Sequence, residues 1–440
     1  MSLFGALNSA ISGLTSQSAA FGDISDNVAN SQTVGFKRVD TSFVDYLTTS
    51  TATQNDPGAV VAVPNYVNDE QGTITQTDNP LNVAIAGQGF FAVSQQTGQV
   101  NGAPTFNPQQ FYSRAGDFTL NSQGYMVNSA GEFLNGWQAD PVTGIINQNS
   151  LSPIQVTQTA LNPVASQNVD LSANLPATPA AGTGTLASPI SSDITVYDAL
   201  GTAHTVTLAW SQNAANDWTV TVTAPDAATP AIGTADVQFG PVTSGNAVPA
   251  GTIGQIGSLT GTITSAGYTA GGQATMAMTM DFGSGPQIIN LNLGTYGGST
   301  GLTQYAGTTY NLEGINQDGV PPGSYAGVTT QANGDVVINY NNGQTKTIAQ
   351  VPLVTFNAPD ALQRQNGQSF TSTVNSGDPL AESVNTNGAG SLVTSSVESS
   401  NVDIATEFSQ LIVAQQAYSA NTKVVTTAND MLEATINMKQ

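Results

Sequence analysis

Both ends of the chain carry apolar residues seven apart, and a helix with such a stripe must bury it against another surface. At the front, Leu7, Leu14, Phe21 and Val28 keep the interval, with Ile11 and Ile24 filling the intervening turns. At the back, Ile404, Leu411, Tyr418, Val425 and Leu432 repeat it, with Phe408 and Ile436 four residues beyond two of them. The spacing predicts two coiled-coil seams. Nearly half of the first 31 residues are Ser, Thr, Asn or Gly, all weak helix formers. An isolated end is therefore expected to be disordered and to become helical only against a partner. Gln415, Thr422 and Asn429 fall four residues after apolar heptad positions, where they are either simply exposed or set the register of the seam.

Between the ends the pattern is that of β-structure. A chain of 440 residues exceeds one compact core, so roughly two to four domains are expected. After the first helix, residues 27–38 (NVANSQTVGFKR) break the heptad with Asn30, Thr33 and Gly35, then deliver Phe36 beside Lys37 and Arg38. Gly35 is expected to hold a backbone conformation costly for other residues, and Phe36 to dock the following arm on a neighbouring surface. Residues 32–70 and 386–399 read as polar, irregular linker or arm regions. Residues 71–145 and 316–385 read as one inner β-domain of short strands and glycine turns, including Asn341-Asn342-Gly343-Gln344 as a hairpin turn. Residues 146–315 read as an outer β-domain inserted into it, with a three-stranded meander over Ile194–Asp198, Thr205–Trp210 and Trp218–Val222. The terminal helical domain takes residues 1–31 and 400–440, with Asn401 or Asp403 as helix cap. The fold class expected is multi-domain and mainly β, with paired α-helical coiled-coil termini around two nested β-domains.

Composition removes several functions. Acids outnumber bases 29 to 7, and a net charge of −22 argues against nucleic acid and anionic membranes as partners. There is no cysteine, which excludes disulfides, thiolate metal sites and thiol catalysis. No stretch reaches the length of a membrane span, and the start lacks the basic and apolar regions of a cleaved signal, so work outside the cell would need another export route. His204 is the one histidine and sits on an expected strand, so a structural role is expected. Asp23 with Asp26, and Asp430 with Glu433, read as solvated faces or caps, and Gly87-Gln88-Gly89 as a hairpin turn without the lysine of a phosphate loop. No catalytic residue, metal or cofactor is expected.

Longer segments carry a resemblance. NVANSQTVGFKR is similar to the Asn-rich, Gly-Phe-Lys motif near the N-terminus of flagellar axial proteins, the rod and hook components. Residues 400–438, SNVDIATEFSQLIVAQQAYSANTKVVTTANDMLEATINM, resemble the terminal helix of that family. Residues 112–137, YSRAGDFTLNSQGYMVNSAGEFLNGW, resemble its inner domain, and residues 194–210, ITVYDALGTAHTVTLAW, the outer domain of its hook components. The resemblance implies a non-enzymatic subunit that polymerises into a curved, hollow tube, a universal joint between rod and filament. It also implies export through the flagellar type III apparatus and contacts with rod, hook cap, length-control and hook–filament junction proteins. The residues expected at the assembly interface are the two heptad sets together with Asn30, Gly35 and Phe36. A distal rod or junction subunit is the alternative within the family. An acidic, β-rich secreted adhesin would explain the middle of the chain but not its matched ends.

Overall fold

The computed structural model describes residues 3–50, 55–141, 143–177, 189–242, 247–307 and 309–437. Two helices, α1 (Leu3–Ala29) and α2 (Ile404–Asn437), bracket a succession of β-strands. The chain divides into two compact units, one of Met1–Gln158, Ala326–Asn339 and Thr345–Gln440, the other of Thr159–Tyr325 and Tyr340–Gln344.

In the first unit, α1 runs until Asn30, where the side chain turns back to donate to the Asp26 carbonyl and carboxylate, both at 2.9 Å. At the other end Asp403 caps α2, its carboxylate accepting from the Ala405 amide at 2.9 Å. The stretch expected to be an irregular arm is instead a long antiparallel hairpin, β1 (Val39–Ser50) with β2 (Asn55–Tyr66), in register from Val39↔Tyr66 to Tyr46↔Ala59. Residues 386–399 likewise are not a linker. Ser391–Thr394 pairs with Val83–Ala86, and Ser396–Glu398 with Ile74–Gln76, so the returning chain completes the inner β-structure. The main sheet there includes Phe91–Ser94, Phe111–Ser113, Phe133–Ala139 and the hairpin Asp335–Tyr340/Thr345–Gln350. Its core stacks aromatic rings edge to face: Phe90 lies 5.9 Å from Phe356 and 5.6 Å from Phe370.

The second unit is a sandwich. A five-stranded antiparallel sheet runs Ile190–Tyr197, Ala203–Ala214, Asp217–Thr223, Ala231–Phe239 and Ile253–Gly257, containing the expected meander. A six-stranded sheet faces it, in which Asn168–Asn174 pairs in parallel with Pro286–Thr295. Both contribute alternate residues to one core that includes Trp210, Trp218, Met276, Met278 and Leu291. The insertion begins later than residue 146 and ends later than 315. Ile146–Pro153 pairs with Phe133–Ala139, and Ile154 is buried between the backbones of Met126 and Leu134, which keeps this strand in the first unit. On the far side, isolated bridges join Leu161 to Gly323 and Val164 to Val320, so the entering and leaving segments are held together where they reach the sandwich.

Candidate assembly surface

α1 lies between α2 and the β1/β2 hairpin, and its sequence suits both neighbours. Toward the hairpin it presents Ser9, Ser12 and Ser16, three or four residues apart and hence on one face. The Ser9 hydroxyl donates to the Gly58 carbonyl at 3.3 Å and that of Ser16 to the Val60 carbonyl at 3.0 Å, while the Val60 amide donates to Ser12 at 3.2 Å. The serines that weaken the isolated helix thus fasten it to a strand edge. Asn27 extends the same logic. Its amide donates to the Val39 carbonyl and accepts from the Val39 amide, each at 2.9 Å, imitating a strand partner. Its nitrogen also reaches the Glu407 carboxylate of α2 at 3.1 Å.

Toward α2, the residues Leu7, Leu14, Phe21 and Val28 are half-buried and Ile24 is buried. On α2, Leu411, Val425 and Leu432 are half-buried against them, and the Tyr418 ring meets Phe21 edge to face at 6.2 Å. The second seam position of α2 lies three residues after the heptad positions rather than four. It holds Glu407, Ala414, Asn421 and Ala428, of which all but Asn421 are buried. Gln415, Thr422 and Asn429 point to solvent, and Asn421 is the polar seam residue. A Cβ on Gly13 would lie 2.7 Å from the Asn421 side-chain nitrogen, so small residues let the helices approach closely here. The apolar residues expected four beyond are left uncovered: Phe408 is 51% and Ile436 64% exposed, beside Ile404 at 44%, Tyr418 at 42% and Ile11 at 45%. Phe43, Val44, Tyr46 and Leu47 of β1 are exposed as well. Apolar side chains are thus left uncovered on both the helical pair and the hairpin.

The same ends are anchored to the inner β-structure by a buried ion cluster that the sequence did not announce. Glu398 accepts from Lys37 Nζ at 2.6 Å through one oxygen and from Arg114 Nη1 at 3.1 Å through the other, all three side chains at most 2% exposed. The Gly72 amide at 2.8 Å completes the carboxylate, and Lys37 also donates to the Glu70 carbonyl. Burial lowers the pKa of Lys37 and of Arg114, while Glu398 raises both. Gly35, at φ +70°, donates its amide to the Glu398 carbonyl at 2.8 Å. Phe36 is buried at 3% exposure under the Arg364 guanidinium, 4.7 Å from the ring centre, so it anchors the chain internally and has no free face for a neighbour. With Asp403 as the cap, Asn401, the other residue expected to serve, ties the two ends of the hairpin, accepting from the Arg38 amide at 2.8 Å and donating to the Val67 and Glu70 carbonyls. Spacing along the chain carried no sign of this cluster, because Lys37, Arg114 and Glu398 are far apart in sequence.

Elsewhere, His204 stacks on Phe282 at 4.0 Å with Asp198 and Asp226 each 3.5 Å from one ring nitrogen, a packed position on its strand. Among the described residues no group of three or more His, Asp and Glu side chains is placed to hold a metal, and no helix is long and apolar enough to cross a membrane.

Comparison with known proteins identifies this arrangement. Residues 84–172 match the flagellar hook protein FlgE/F/G D1 domain, residues 168–320 the flagellar basal body protein FlaE D2 domain, and residues 393–438 the flagellar basal body rod FlgEFG protein C-terminal domain. The flagellar hook protein FlgE of Brucella abortus biovar 1 is 31% identical over 445 residues, covering 100% of both chains. The chain belongs to the flagellar hook protein family. The FlgE of Salmonella typhimurium is 29% identical over 449 residues, covering 98% of this chain and 99% of its own. The crystal structure of Helicobacter pylori flagellar hook protein FlgE2 shares the fold, with a TM-score of 0.50 at 14% identity over 72% of this chain and 98% of that one. The FlaE D2 match covers residues 168–320 of the sandwich, and the C-terminal match covers the strand Ser396–Glu398 and α2.

Proposed function

We propose that the chain is a non-enzymatic structural subunit of the flagellar hook, polymerising with copies of itself into a curved, flexible tube that carries torque from rod to filament. The observation that carries this reading is the set of uncovered apolar residues on α1, α2 and the β1/β2 hairpin, in a chain whose relatives over its full length are hook proteins. Helical ends and hairpin supply the tight apolar contacts between copies. The β-units, stiffened by their own cores, transmit torque and meet their neighbours through polar surfaces able to slide with bridging water. The reading extends to passage through the flagellar export apparatus and to contacts with rod, hook cap, junction and length-control proteins outside the cell. Electron microscopy of a host lacking its own hook protein tests it directly. Expression of this chain should restore curved hooks, whereas bare rods or straight rod-like extensions would contradict it.

A further inference from the structure

Opposite flanks of α2 differ in shape. On one flank, a groove of about 430 Å³ opens between α1, β1 and α2, floored by Ala20, Ile24 and Ala414 and walled by the exposed Phe43 and Val413. Two carboxylates stand at its edge: Asp23, which accepts from the Thr41 hydroxyl at 2.5 Å and interacts electrostatically with Arg364, and Asp40, 3.5 Å from Arg38. On the other flank, Phe408 and Ile412 stand out as a ridge. The helical period places them: Phe408 and Ile412 each follow a seam residue, Glu407 and Leu411, whereas Val413 precedes one, Ala414. At about 100° per residue, steps in opposite senses reach opposite sides of the seam. About three turns beyond Ile412, the exposed Lys423 falls about 20° round the helix from it, on the outer face of α2, where it also borders a groove with Ala6, Val424 and Met431.

We infer that the groove receives the Phe408–Ile412 ridge of a second copy of this chain, with Lys423 of that copy facing the acidic edge at Asp23 and Asp40. The chemistry matches on both counts, apolar into apolar and the scarce cation toward carboxylates, in a protein with only 7 bases against 29 acids. Ridge and groove lie on different faces of one subunit, so the contact is heterologous. Such a contact adds subunits without pairing them off and, where its rotation does not close a ring, generates an open helical polymer. The inference rests on the hook-subunit reading and names the surfaces that perform it.

The absence of native cysteine makes the test clean. Hooks formed by the wild-type chain in a host lacking its own hook protein are scored first; their absence overturns the hook reading itself. In hooks that do form, a Phe408→Cys, Val413→Cys double variant should give a ladder of disulfide-linked multimers on oxidation, while Phe408→Cys alone stays monomeric on a non-reducing gel. Hooks without a ladder, or dimers from Phe408→Cys alone, overturn this contact and leave the hook reading standing. Charge reversal gives a second measurement that needs no disulfide geometry. Lys423→Asp should cut hook number at least about tenfold, and adding Asp23→Lys should restore it. Unchanged hook number in the single variant, or no rescue in the double, also overturns it.

Discussion

A side chain at position 35 would put its Cβ 2.4 Å from the Ala115 amide nitrogen, at a φ that side chains rarely adopt. Gly35→Val therefore meets backbone that cannot yield, and should lower the stability of the first unit by at least about 2 kcal/mol in denaturant titration. Gly35→Ala should fail for the same reason, since the collision is with the first carbon of any side chain. Beside it, Glu398→Ala strands two buried cations and should cost about 3–5 kcal/mol. Glu407 makes the opposite case. It is 2% exposed in the seam, and one carboxylate oxygen has no hydrogen-bond partner among the described residues. Burial raises its pKa above the ordinary 4.5, outweighing the Asn27 hydrogen bond that lowers it. A raised acid pKa means the fold holds the proton better than the unfolded chain does. Its contribution is thus fully present below 4.5 and is lost as pH rises through the raised value. Glu407→Gln, which stays neutral, should raise the melting temperature of the helical pair at pH 7 and flatten its pH dependence above 4.5. Circular dichroism at 222 nm over that range would show it, and a variant with an unchanged slope would clear Glu407 of the role.

At the scale of elements, α1, α2 and the hairpin hold one another through serine hydroxyls, Asn27 and a seam of mostly small or half-buried residues. That is a thin interior for two long helices, and on the hook-subunit reading proposed above further copies would cover their exposed flanks. Amide exchange should show α2 weakly protected in dilute monomer and strongly protected in polymer. Replacing both Leu411 and Val425 by Asp sets two charges into the half-buried seam, and should abolish polymerisation while the β-units keep their melting transitions. Variants that still polymerise would move the assembly surface away from the seam. The heptads were legible in sequence because Leu411, Val425 and Leu432 recur on one face. The second seam position was not, because Glu407, Ala414, Asn421 and Ala428 are polar or small and give no apolar signal. The Ser9, Ser12 and Ser16 spacing is a polar periodicity that marks the hairpin-facing side of α1. The hairpin itself gives no strand signal for a related reason. Phe43 and Val44 are adjacent in β1 and both exposed, so the alternation of a half-buried strand never forms.

For the molecule as a whole, nested β-domains were readable from the change in residue pattern, but their edges were not. Strand pairing that joins residues far apart in sequence decided them: Ile146–Pro153 belongs with Phe133–Ala139, and Ser391–Glu398 returns to the strands near residues 74–86. The sandwich of Thr159–Tyr325 has its own core, with Trp210 and Trp218 wholly buried in it, while Trp137 lies in the first unit. Its entry and exit segments are joined by isolated bridges at Leu161–Gly323 and Val164–Val320, so cutting there frees two neighbouring ends. A fragment of residues 159–325 should therefore fold alone, with tryptophan emission blue-shifted in buffer and red-shifted in one cooperative step on adding denaturant. The complementary chain, with residues 159–325 replaced by a short Gly-Ser bridge, should retain the near-ultraviolet signal of Trp137 and of the stacked Phe90 core, because none of those contacts is drawn from the sandwich. A fragment that stays expanded, with water-exposed tryptophans and no transition, would mean that the sandwich depends on the rest of the chain for its fold and that the division into two independent units is wrong.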